Sequence, residues 1–270
     1  MAKTVLDEIV RKRRLSLAEE MAQVSISEVM RQAEQSPRPK DFRAALRARP
    51  GVSAIAEIKF ASPSEGRIRD DGDPALIARS YAKGGAAALS ILTETEHFQG
   101  KLAYLAAARS AVDIPLLRKD FIVDGYQLYQ ARLAGADAAL LIVASLGAER
   151  LRELQDLARD LGLTALVEVH DEAELDIALS VGATLIGVNN RDLKTLKVDL
   201  GTSHRLAEKI PAEVTKVSES GIGSSADVER LAELGYDAML VGTHFMKAAD
   251  PGAALKALLE GSGKTRTEKS

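Results

Sequence analysis

From residue 52 onward the chain alternates short apolar segments with longer amphipathic ones, and this alternation constrains the fold more than any other feature. A glycine-bearing junction recurs where an amphipathic segment passes into an apolar one: Gly84-Gly85-Ala86-Ala87, Ala134-Gly135-Ala136-Asp137, Val181-Gly182-Ala183-Thr184 and Leu234-Gly235-Tyr236-Asp237. Glycine at this point suits the left-handed backbone that ends many helices. The copies are about 50 residues apart, the length of two strand–helix units, so the repeat is visible in the sequence itself.

The apolar segments are predicted to be β-strands and the amphipathic segments α-helices. The strands are Val52–Lys59, Ala86–Leu92, Pro115–Lys119, Asp137–Val143, Thr164–Val169, Thr184–Val188, Val214–Glu219 and Ala238–Gly242. The helices are Pro74–Lys83, Leu102–Ala111, Gly125–Ala134, Ala148–Leu161, Glu172–Ser180, Gly201–Lys209, Ser225–Leu234 and Pro251–Leu259. Eight strands alternating with eight helices predict an α/β fold, the (β/α)8 TIM barrel. A doubly wound open sheet is the alternative, but its dinucleotide-binding form would place a glycine-rich turn where this chain has Ser62-Pro63-Ser64.

Residues before the barrel do not follow the alternation. Apolar residues between Val5 and Met21 fit one helix face, and Ser36-Pro37-Arg38-Pro39 breaks the helix before a second one that Asp41 is predicted to cap. The basic run Arg11–Arg14 is interpreted as a solvated helix face. We divide the chain into three parts: 1–50, an N-terminal helical extension packing on the barrel; 51–260, the catalytic barrel domain; and 261–270, a disordered tail.

Composition narrows the kind of protein. The chain has 270 residues and a net charge of -3, with no Trp and 4% aromatic residues, so we expect neither nucleic acid nor a membrane surface as a partner. The absence of Cys excludes a disulfide framework, a cysteine nucleophile and a thiolate metal site. Charges interrupt the first apolar segment, and no apolar run approaches the roughly 20 residues of a membrane helix, so a cytoplasmic location is expected.

Charged and polar residues close six of the eight predicted strands. Glu57 and Lys59 lie on one face of the first strand, an arrangement that an edge strand with a surface salt bridge would also show. Other strand ends carry Lys119, Glu168, Asn189 with Arg191, Glu219 with Ser220, and Gly242 with Thr243. In a barrel the carboxyl ends of all strands meet at one mouth, where lysines beside glutamates can transfer protons. The sequence therefore predicts an acid–base active site at that mouth.

Two glycine-bearing turns predict a phosphate site at the same end. Ser220-Gly221-Ile222-Gly223 follows the seventh predicted strand, and Gly242 and Thr243 end the eighth. Backbone N–H groups of such turns bind phosphate, and barrels commonly place a phosphate after strands seven and eight. A phosphorylated small molecule is the ligand that this pattern predicts.

Together and in this order, the motifs resemble those of the indole-3-glycerol phosphate synthase family. The motifs are Glu57-Ile58-Lys59 with Ser62-Pro63-Ser64, Leu92-Thr93-Glu94, Phe98-Gln99-Gly100, Lys119-Asp120-Phe121-Ile122, Val167-Glu168-Val169, Gly187-Val188-Asn189-Asn190-Arg191-Asp192-Leu193 and Glu219-Ser220-Gly221-Ile222. The helical segment before them is similar to that family's N-terminal extension, which packs near the barrel mouth. The resemblance implies a TIM-barrel lyase of tryptophan biosynthesis. Such an enzyme converts 1-(2-carboxyphenylamino)-1-deoxyribulose 5-phosphate to indole-3-glycerol phosphate, carbon dioxide and water, with no metal or other cofactor.

The resemblance also implies a role for each matching residue. Lys119 would be the general acid that protonates the ribulose carbonyl, Glu168 a proton-transfer group, and Lys59 a residue that assists dehydration. The remaining implied catalytic residues are Glu57, the charge partner of Lys59, and Asn189. Implied substrate-binding residues are Ser62, Arg191, Glu219 and Ser220, and implied phosphate-binding residues are Lys59, Gly221, Gly242 and Thr243.

Five residues depart from the family's usual pattern. They are Phe60 and Glu65, which stand where basic residues are common; Thr243 and His244, which stand where the family often has Ser-Ser or Glu-Ser; and Ser218, which replaces a common Ala. We expect His244 to pack between helix and barrel. Because Thr243 still offers a hydroxyl and an N–H, the resemblance implies that phosphate binding is retained.

Two other functions stay open from the sequence. Lys59 or Lys119 could form a Schiff base in an aldolase-like enzyme that acts on a sugar phosphate. The barrel could also bind a phosphorylated ligand without catalysis, although the lysines and glutamates that close its first, third and fifth strands argue against this. We expect a monomer, and contact with other tryptophan-pathway enzymes is left open.

Overall fold

The computed structural model describes residues 4–70, 72–193 and 195–262. Within these ranges eight parallel strands form a closed barrel, in which each strand pairs with its neighbours along the chain and the last strand pairs with the first. The strands are β1 (Ser53–Ile58), β2 (Ala88–Leu92), β3 (Leu116–Lys119), β4 (Ala138–Ile142), β5 (Thr164–Val169), β6 (Leu185–Asn189), β7 (Thr215–Glu219) and β8 (Ala238–Val241). The predicted (β/α)8 TIM barrel is confirmed.

Helices surround the barrel and precede it. They are α1 (Val5–Gln23), α2 (Ile26–Glu34), α3 (Phe42–Arg47), α4 (Pro74–Gly84), α5 (Leu102–Ala111), α6 (Gly125–Leu133), α7 (Val143–Asp160), α8 (Glu172–Ser180), α9 (Gly201–Ala207), α10 (Ser225–Glu233), α11 (Thr243–Met246) and α12 (Pro251–Ser262). Polar side chains cap several of them; Asp41 accepts the N–H of Ala44, as predicted for the start of α3.

The predicted strands agree with the observed ones to within two residues at each end. Three features of the helices differ, and the first is the short helix α11, which was not predicted. The helix α7 begins directly after β4, and a non-helical Gly147 interrupts its first turn. A break between α1 and α2 was not predicted, because the cap that starts α2 is a single residue, Ser25, within a helical pattern.

Strand residues alternate between the barrel interior and the layer beneath the helices. Leu117, Leu166 and Val217 belong to the interior cluster, while their strand neighbours Leu116 and Val167 pack against the helices. Because both faces of each strand are buried, the strands are continuously apolar rather than alternating in polarity. The interior of the barrel is therefore a packed core.

The N-terminal segment closes both ends of the barrel. Leu6 and Ile9 of α1 join the interior cluster and line the cavity at the carboxyl ends of the strands. Phe42 and Leu46 of α3 are fully buried in the same cluster, and Arg43 beside them bonds Thr215 at the start of β7. The expected position near the mouth thus fits α1, whereas α3 covers the opposite end.

One residue of the basic run in α1 is buried. The interpretation of Arg11–Arg14 as a solvated face is wrong at Arg13, whose side chain is only 8% exposed. Its guanidinium bonds Glu20 at 2.7 Å and Asp120 at 3.3 Å. Arg13 therefore connects the extension to the end of β3, a long-range pairing that a charge run in sequence does not reveal.

The chain after the barrel ends in α12, which extends to Ser262 and so includes the first two residues of the predicted tail. The rest of that tail, residues 263–270, lies outside the described residues. None of the helices described here has the length and apolar character needed to cross a membrane.

Candidate active site

The inward-facing positions of the strands place the site residues. In β1, β3, β5 and β7 the interior residue of the core is followed two positions later by Glu57, Lys119, Glu168 and Glu219. A spacing of two keeps a side chain on the same face of a strand. The four charged groups therefore form the layer directly above the apolar core of the barrel.

A cavity of about 510 Å³ opens above this layer. All twelve residues that the sequence predicts for the site line it: Glu57, Lys59, Ser62, Lys119, Glu168, Asn189, Arg191, Glu219, Ser220, Gly221, Gly242 and Thr243. We call this space the mouth cavity. Its volume suits a small organic ligand.

Lys119 lies between two buried carboxylates. Its Nζ is 2.9 Å from Oε2 of Glu168 and 2.6 Å from Oε2 of Glu219. Burial by itself would lower the pKa of Lys119, but Glu168 and Glu219 raise it above its ordinary value. The lysine is therefore a cation at neutral pH, as a proton donor must be.

The two carboxylates beside Lys119 differ. Burial would raise the pKa of Glu168, but Lys119 and His170 together lower it below its usual range. Burial and the neighbouring Glu168 raise the pKa of Glu219 to about 7, against the opposing effect of Lys119. The pair therefore offers one carboxylate that stays ionised and one that exchanges its proton near neutrality.

Glu57 and Lys59 form the second ion pair of the mouth cavity. The Nζ of Lys59 is 2.8 Å from Oε1 of Glu57, and both side chains are largely buried. The alternative of an edge strand with a surface salt bridge is wrong, since β1 pairs with strands on both sides. Lys59 follows the end of β1, the strand that pairs with β8, and it lines the mouth cavity.

Two inward glycines leave room for the acids. A Cβ at Gly187 would lie 2.1 Å from Oε1 of Glu219, and a Cβ at Gly242 would lie 2.3 Å from Oε1 of Glu57. Any larger residue at either position would displace a carboxylate. The barrel interior is therefore shaped around these two side chains.

The two glycine-bearing turns approach the cavity from β7 and β8. Ser220 and Gly221 have positive φ angles of 69° and 84°. This backbone is rare for a serine, and such strain concentrates at functional sites. Asp227 accepts the N–H groups of Gly223 and Ser224 and forms a capping box with Ser224, the N-cap of α10. The turn segment facing the cavity is accordingly the earlier one, at Ser220 and Gly221.

The loop after β6 is organised by two side chains that were predicted to belong to the site, Asn189 and Arg191. Asn189 accepts the N–H of Arg191 at 3.0 Å, and the guanidinium of Arg191 donates to the carbonyl of Leu196 at 2.9 Å. Across the cavity Ser62 accepts the N–H of Glu65 and closes the predicted turn. These contacts fix the loops that surround the charged layer.

The sequence and fold match known proteins. A family model described as indole-3-glycerol phosphate synthase matches residues 6–258. Proteins with this name are 49% identical over 256 residues in Streptomyces griseus, covering 95% of each chain, and 51% identical over 257 residues in Nocardioides, covering 94% of this chain and 97% of the relative. The chain belongs to the indole-3-glycerol phosphate synthase family.

Membership of this family confirms the expected enzyme class, a carboxy-lyase of tryptophan biosynthesis that acts on a phosphorylated small molecule. Solved structures share the fold. A 3-hexulose-6-phosphate synthase from Salmonella typhimurium superposes with a TM-score of 0.64 at 16% identity, covering 78% of this chain and 98% of that one. A thiamine phosphate pyrophosphorylase from Pyrococcus furiosus gives 0.59 at 16% identity, covering 82% and 98%.

The residues that depart from the family's usual pattern have clear places in the structure. Phe60 is buried with its ring against Tyr104, at 5.4 Å between centroids. Glu65 pairs with Lys247 at 2.6 Å across the cavity rim. The expectation for His244 is wrong, because its side chain is exposed and lines the mouth cavity.

The apolar wall of the mouth cavity was missed in the sequence. Leu6 and Ile9 from α1, Phe121 after β3 and Leu193 in the loop after β6 line the cavity and belong to or pack against the interior apolar cluster. Phe121 and Leu193 follow predicted catalytic residues, which is the signal that could have identified them. The contribution of α1 to the cavity could not be predicted from the sequence, because it depends on where the N-terminal extension packs on the barrel.

A buried ionic network lies behind Lys119. Arg118, 1% exposed, donates to Asp120 at 2.8 Å, and Asp120 also pairs with Arg13. Thr93 of the loop after β2 donates to the same carboxylate at 2.7 Å. This network holds the end of β3 from three directions. Among the described residues no group of three or more His, Asp and Glu side chains is arranged to hold a metal ion.

Proposed function

We propose that the mouth cavity is the active site of an indole-3-glycerol phosphate synthase reaction, in which 1-(2-carboxyphenylamino)-1-deoxyribulose 5-phosphate is closed to indole-3-glycerol phosphate with loss of carbon dioxide and water. The observation that carries the proposal is the ammonium group of Lys119, held between Glu168 and Glu219 at the floor of the cavity. A ring closure followed by decarboxylation and dehydration needs proton donors and acceptors, which this layer supplies.

The substrate has three chemically distinct parts, and the cavity has a matching surface for each. The N–H groups of the turns at Gly221 and at Gly242 and Thr243, together with Lys59, would bind the phosphate. The apolar wall at Phe121 and Leu193 would hold the aromatic ring. Between them the ribulose carbonyl would lie over Lys119.

Lys119 would act as the general acid of the first step. The ring carbon that bears the carboxylate attacks the ribulose carbonyl carbon, a carbon–carbon bond forms, and Lys119 gives its proton to the carbonyl oxygen. Loss of carbon dioxide then returns the bonding electrons to the ring. The raised pKa of Lys119 supports this role, because the donor is fully protonated before substrate arrives.

Dehydration would use the second ion pair. The new hydroxyl leaves as water after receiving a proton from Lys59, which Glu57 orients at 2.8 Å. Glu168, ionised beside Lys119, would stabilise the cationic intermediate and take up a proton. Asn189, Arg191, Ser62, Glu219 and Ser220 would orient the substrate from the surrounding loops.

The geometry argues against the Schiff-base alternative. A lysine that attacks a carbonyl must lose its proton, which enzymes favour by placing it in an apolar or cationic environment. Lys119 instead touches two carboxylates and Lys59 touches a third. Binding without catalysis is disfavoured by the same charged layer, since a phosphate site alone does not require it.

The test is a fluorescence assay that follows the indole product with wild type and Lys119→Ala. We expect turnover by the wild type and a loss of at least 10³-fold in the variant, with the far-UV circular dichroism unchanged. Borohydride added with substrate should trap no covalent adduct. A wild type that binds substrate but makes no product, or a trapped adduct, would overturn the proposal.

Three further expectations belong to the proposal. The enzyme would act as a monomer, would be located in the cytoplasm, and could contact other enzymes of the tryptophan pathway. Light scattering at several protein concentrations tests the monomer directly.

A further inference from the structure

A histidine outside the predicted set of site residues touches the central carboxylate. His170 follows Glu168 by two residues, directly after the end of β5, and it lines a groove beside α8 and α9. Its side chain is 12% exposed. Its Nδ1 is hydrogen-bonded to Oε2 of Glu174 in α8 at 2.9 Å. Its Nε2 has no hydrogen-bond partner among the described residues, but it lies 3.3 Å from Oε1 of Glu168, within ion-pair distance. The imidazole therefore bridges a carboxylate of the active site and one of the surrounding helix.

This contact makes the two carboxylates beside Lys119 unequal. Glu168 has a nitrogen against each of its oxygens, since Lys119 contacts Oε2 and His170 contacts Oε1. Glu219 shares the same lysine through Oε2, but its buried Oε1 has no hydrogen-bond partner among the described residues. That oxygen lies in the space left by Gly187. A buried oxygen without a donor is the position where a carboxyl group is most easily protonated.

We propose that His170, held by Glu174, is a positioning residue that fixes the carboxylate of Glu168 in its ionised form, so that a proton shared among the acids around Lys119 resides on Glu219. The proposal deepens the proposed function, on which its kinetic consequence rests. It assigns the two carboxylates different roles: Glu168 is the available base, and Glu219 is a neutral group that can donate a hydrogen bond.

The electrostatics of the site support this assignment. Burial would lower the pKa of His170, but Glu168 and Glu174 raise it to about 10, so the imidazole is cationic through neutral pH. The pKa of Glu168 is lowered and that of Glu219 is raised. A cation on one side of Glu168 only is sufficient to separate two otherwise similar acids.

Other charged groups around His170 are directed elsewhere. They are Asp171, which caps α8; Glu172, which pairs with Lys209; and Arg205 of α9, which lines the groove beside His170 and bonds Asp199 and Thr202. Glu57, on the opposite side of the cavity, pairs with Lys59. Glu168 and Glu174 are thus the carboxylates in direct contact with the imidazole.

The first test needs no substrate. Glutamate labelled with ¹³C at its side-chain carboxyl reports ionisation by NMR, and Glu168→Gln and Glu219→Gln assign the two signals. In the wild type we expect Glu168 to stay ionised down to pH 5 while Glu219 titrates near neutrality. In His170→Leu the midpoint of Glu168 should rise by at least one pH unit. A midpoint that does not move, or a Glu219 that is the ionised partner in the wild type, overturns the proposal.

The second test is the pH profile of turnover. His170→Leu should lower kcat about tenfold or more and move the acidic limb of the profile upward by at least one pH unit, whereas His170→Gln, which keeps an N–H donor, should recover part of both. Glu174→Gln should move the acidic limb of the pH profile upward by a smaller amount. This variant replaces His170→Leu in the test if His170→Leu does not fold. His204→Gln, which removes an exposed imidazole from α9, is the matched control and should change neither value.

The outcomes separate the two proposals. A loss of kcat with an unchanged pH profile would mean that His170 acts only in packing, which overturns its positioning role. If the wild type does not turn over the substrate, the proposed function fails, while the NMR titration still decides how the proton is divided.

Discussion

Two aspartates at the amino-terminal end of the barrel have all their acceptor oxygens in use. Asp137 accepts the backbone N–H groups of Lys40 and Leu116 at 2.7 and 2.8 Å and pairs with Arg109. Asp237 accepts the backbone N–H of Lys216 and pairs with Arg47. At the mouth, three buried glutamates share two lysines, and an oxygen of Glu219 has no partner among the described residues. The comparison teaches that one end uses its carboxylates to hold the structure together. The other leaves them short of partners, which makes them reactive.

The sharpest way to separate the two ends is to remove the central cation of the mouth. Lys119→Met should reduce kcat by about 10³ to 10⁴, equivalent to about 4 to 5.5 kcal/mol, because it removes the general acid. The free energy of unfolding in urea should change by less than about 1 kcal/mol, since Glu219 already carries a proton and His170 still lies against Glu168 when the lysine is removed. A large loss of stability with substantial remaining turnover would contradict the comparison.

At the amino-terminal end of the barrel we expect a substitution to reduce stability and leave activity nearly unchanged. Asp137→Ala should lower the free energy of unfolding by about 3 kcal/mol, because two buried N–H groups and Arg109 lose their acceptor. Activity per folded molecule should stay within about twofold, since the cavity is at the far end of the strands. Urea unfolding and active-site titration with a tight inhibitor measure the two quantities separately. A fall in kcat would show that the amino-terminal end of the barrel influences the chemistry at the mouth, which would contradict the separation of roles.

Gly187 tests whether the mouth is shaped around its carboxylates. Gly187→Ala places a methyl group 2.1 Å from the present position of Glu219 Oε1, so the carboxylate must move. We expect a fall in kcat of about 100-fold, near 2.7 kcal/mol, for a displacement of this size. In a Glu219→Ala background the same substitution should have little further effect. An undiminished effect in that background would show that the methyl group disturbs something other than Glu219.

His170 adds a pH dependence to the stability of the mouth. Its pKa is raised to about 10 in the folded protein, so its stabilising contribution is complete below the ordinary histidine pKa and is lost as the pH rises through 10. Wild type should therefore exceed His170→Leu in unfolding free energy by about 2 kcal/mol at pH 6, and by progressively less towards pH 10. Urea unfolding across this range measures the difference, and a difference that grows with pH would contradict the assigned charge.

The smallest effect is expected at the phosphate turns. Thr243→Val should raise KM about fivefold to tenfold, near 1 kcal/mol, because it removes a hydroxyl but keeps the backbone N–H. Thr243→Ser keeps both groups and is the matched control. A change in kcat with KM unaltered would place Thr243 in the chemistry rather than in phosphate binding.

The sequence predicts the barrel and the charged layer for the same reason. Strand residues on one face recur every two positions, so the polar residue that follows the last apolar one on that face must lie at the mouth, as Lys119 and Glu168 do. What the sequence could not predict depends on pairings between distant segments. The sequence around Arg13 predicts a surface residue, because it does not show that Asp120 lies beside it. The role of His170 depends on its contact with Glu174, which the packing of α8 against β5 provides.

The closure of both barrel ends by the N-terminal segment has a consequence for the order of folding. Arg13 meets a partner 107 residues further along the chain, and Arg47 meets one 190 residues away. Contacts of such long range form slowly, because much of the intervening chain must be organised first. This segment leaves the ribosome before the barrel strands do, yet it is among the last parts of the chain to find its place. Until β8 closes the barrel, its apolar face is exposed to whatever surrounds the growing chain.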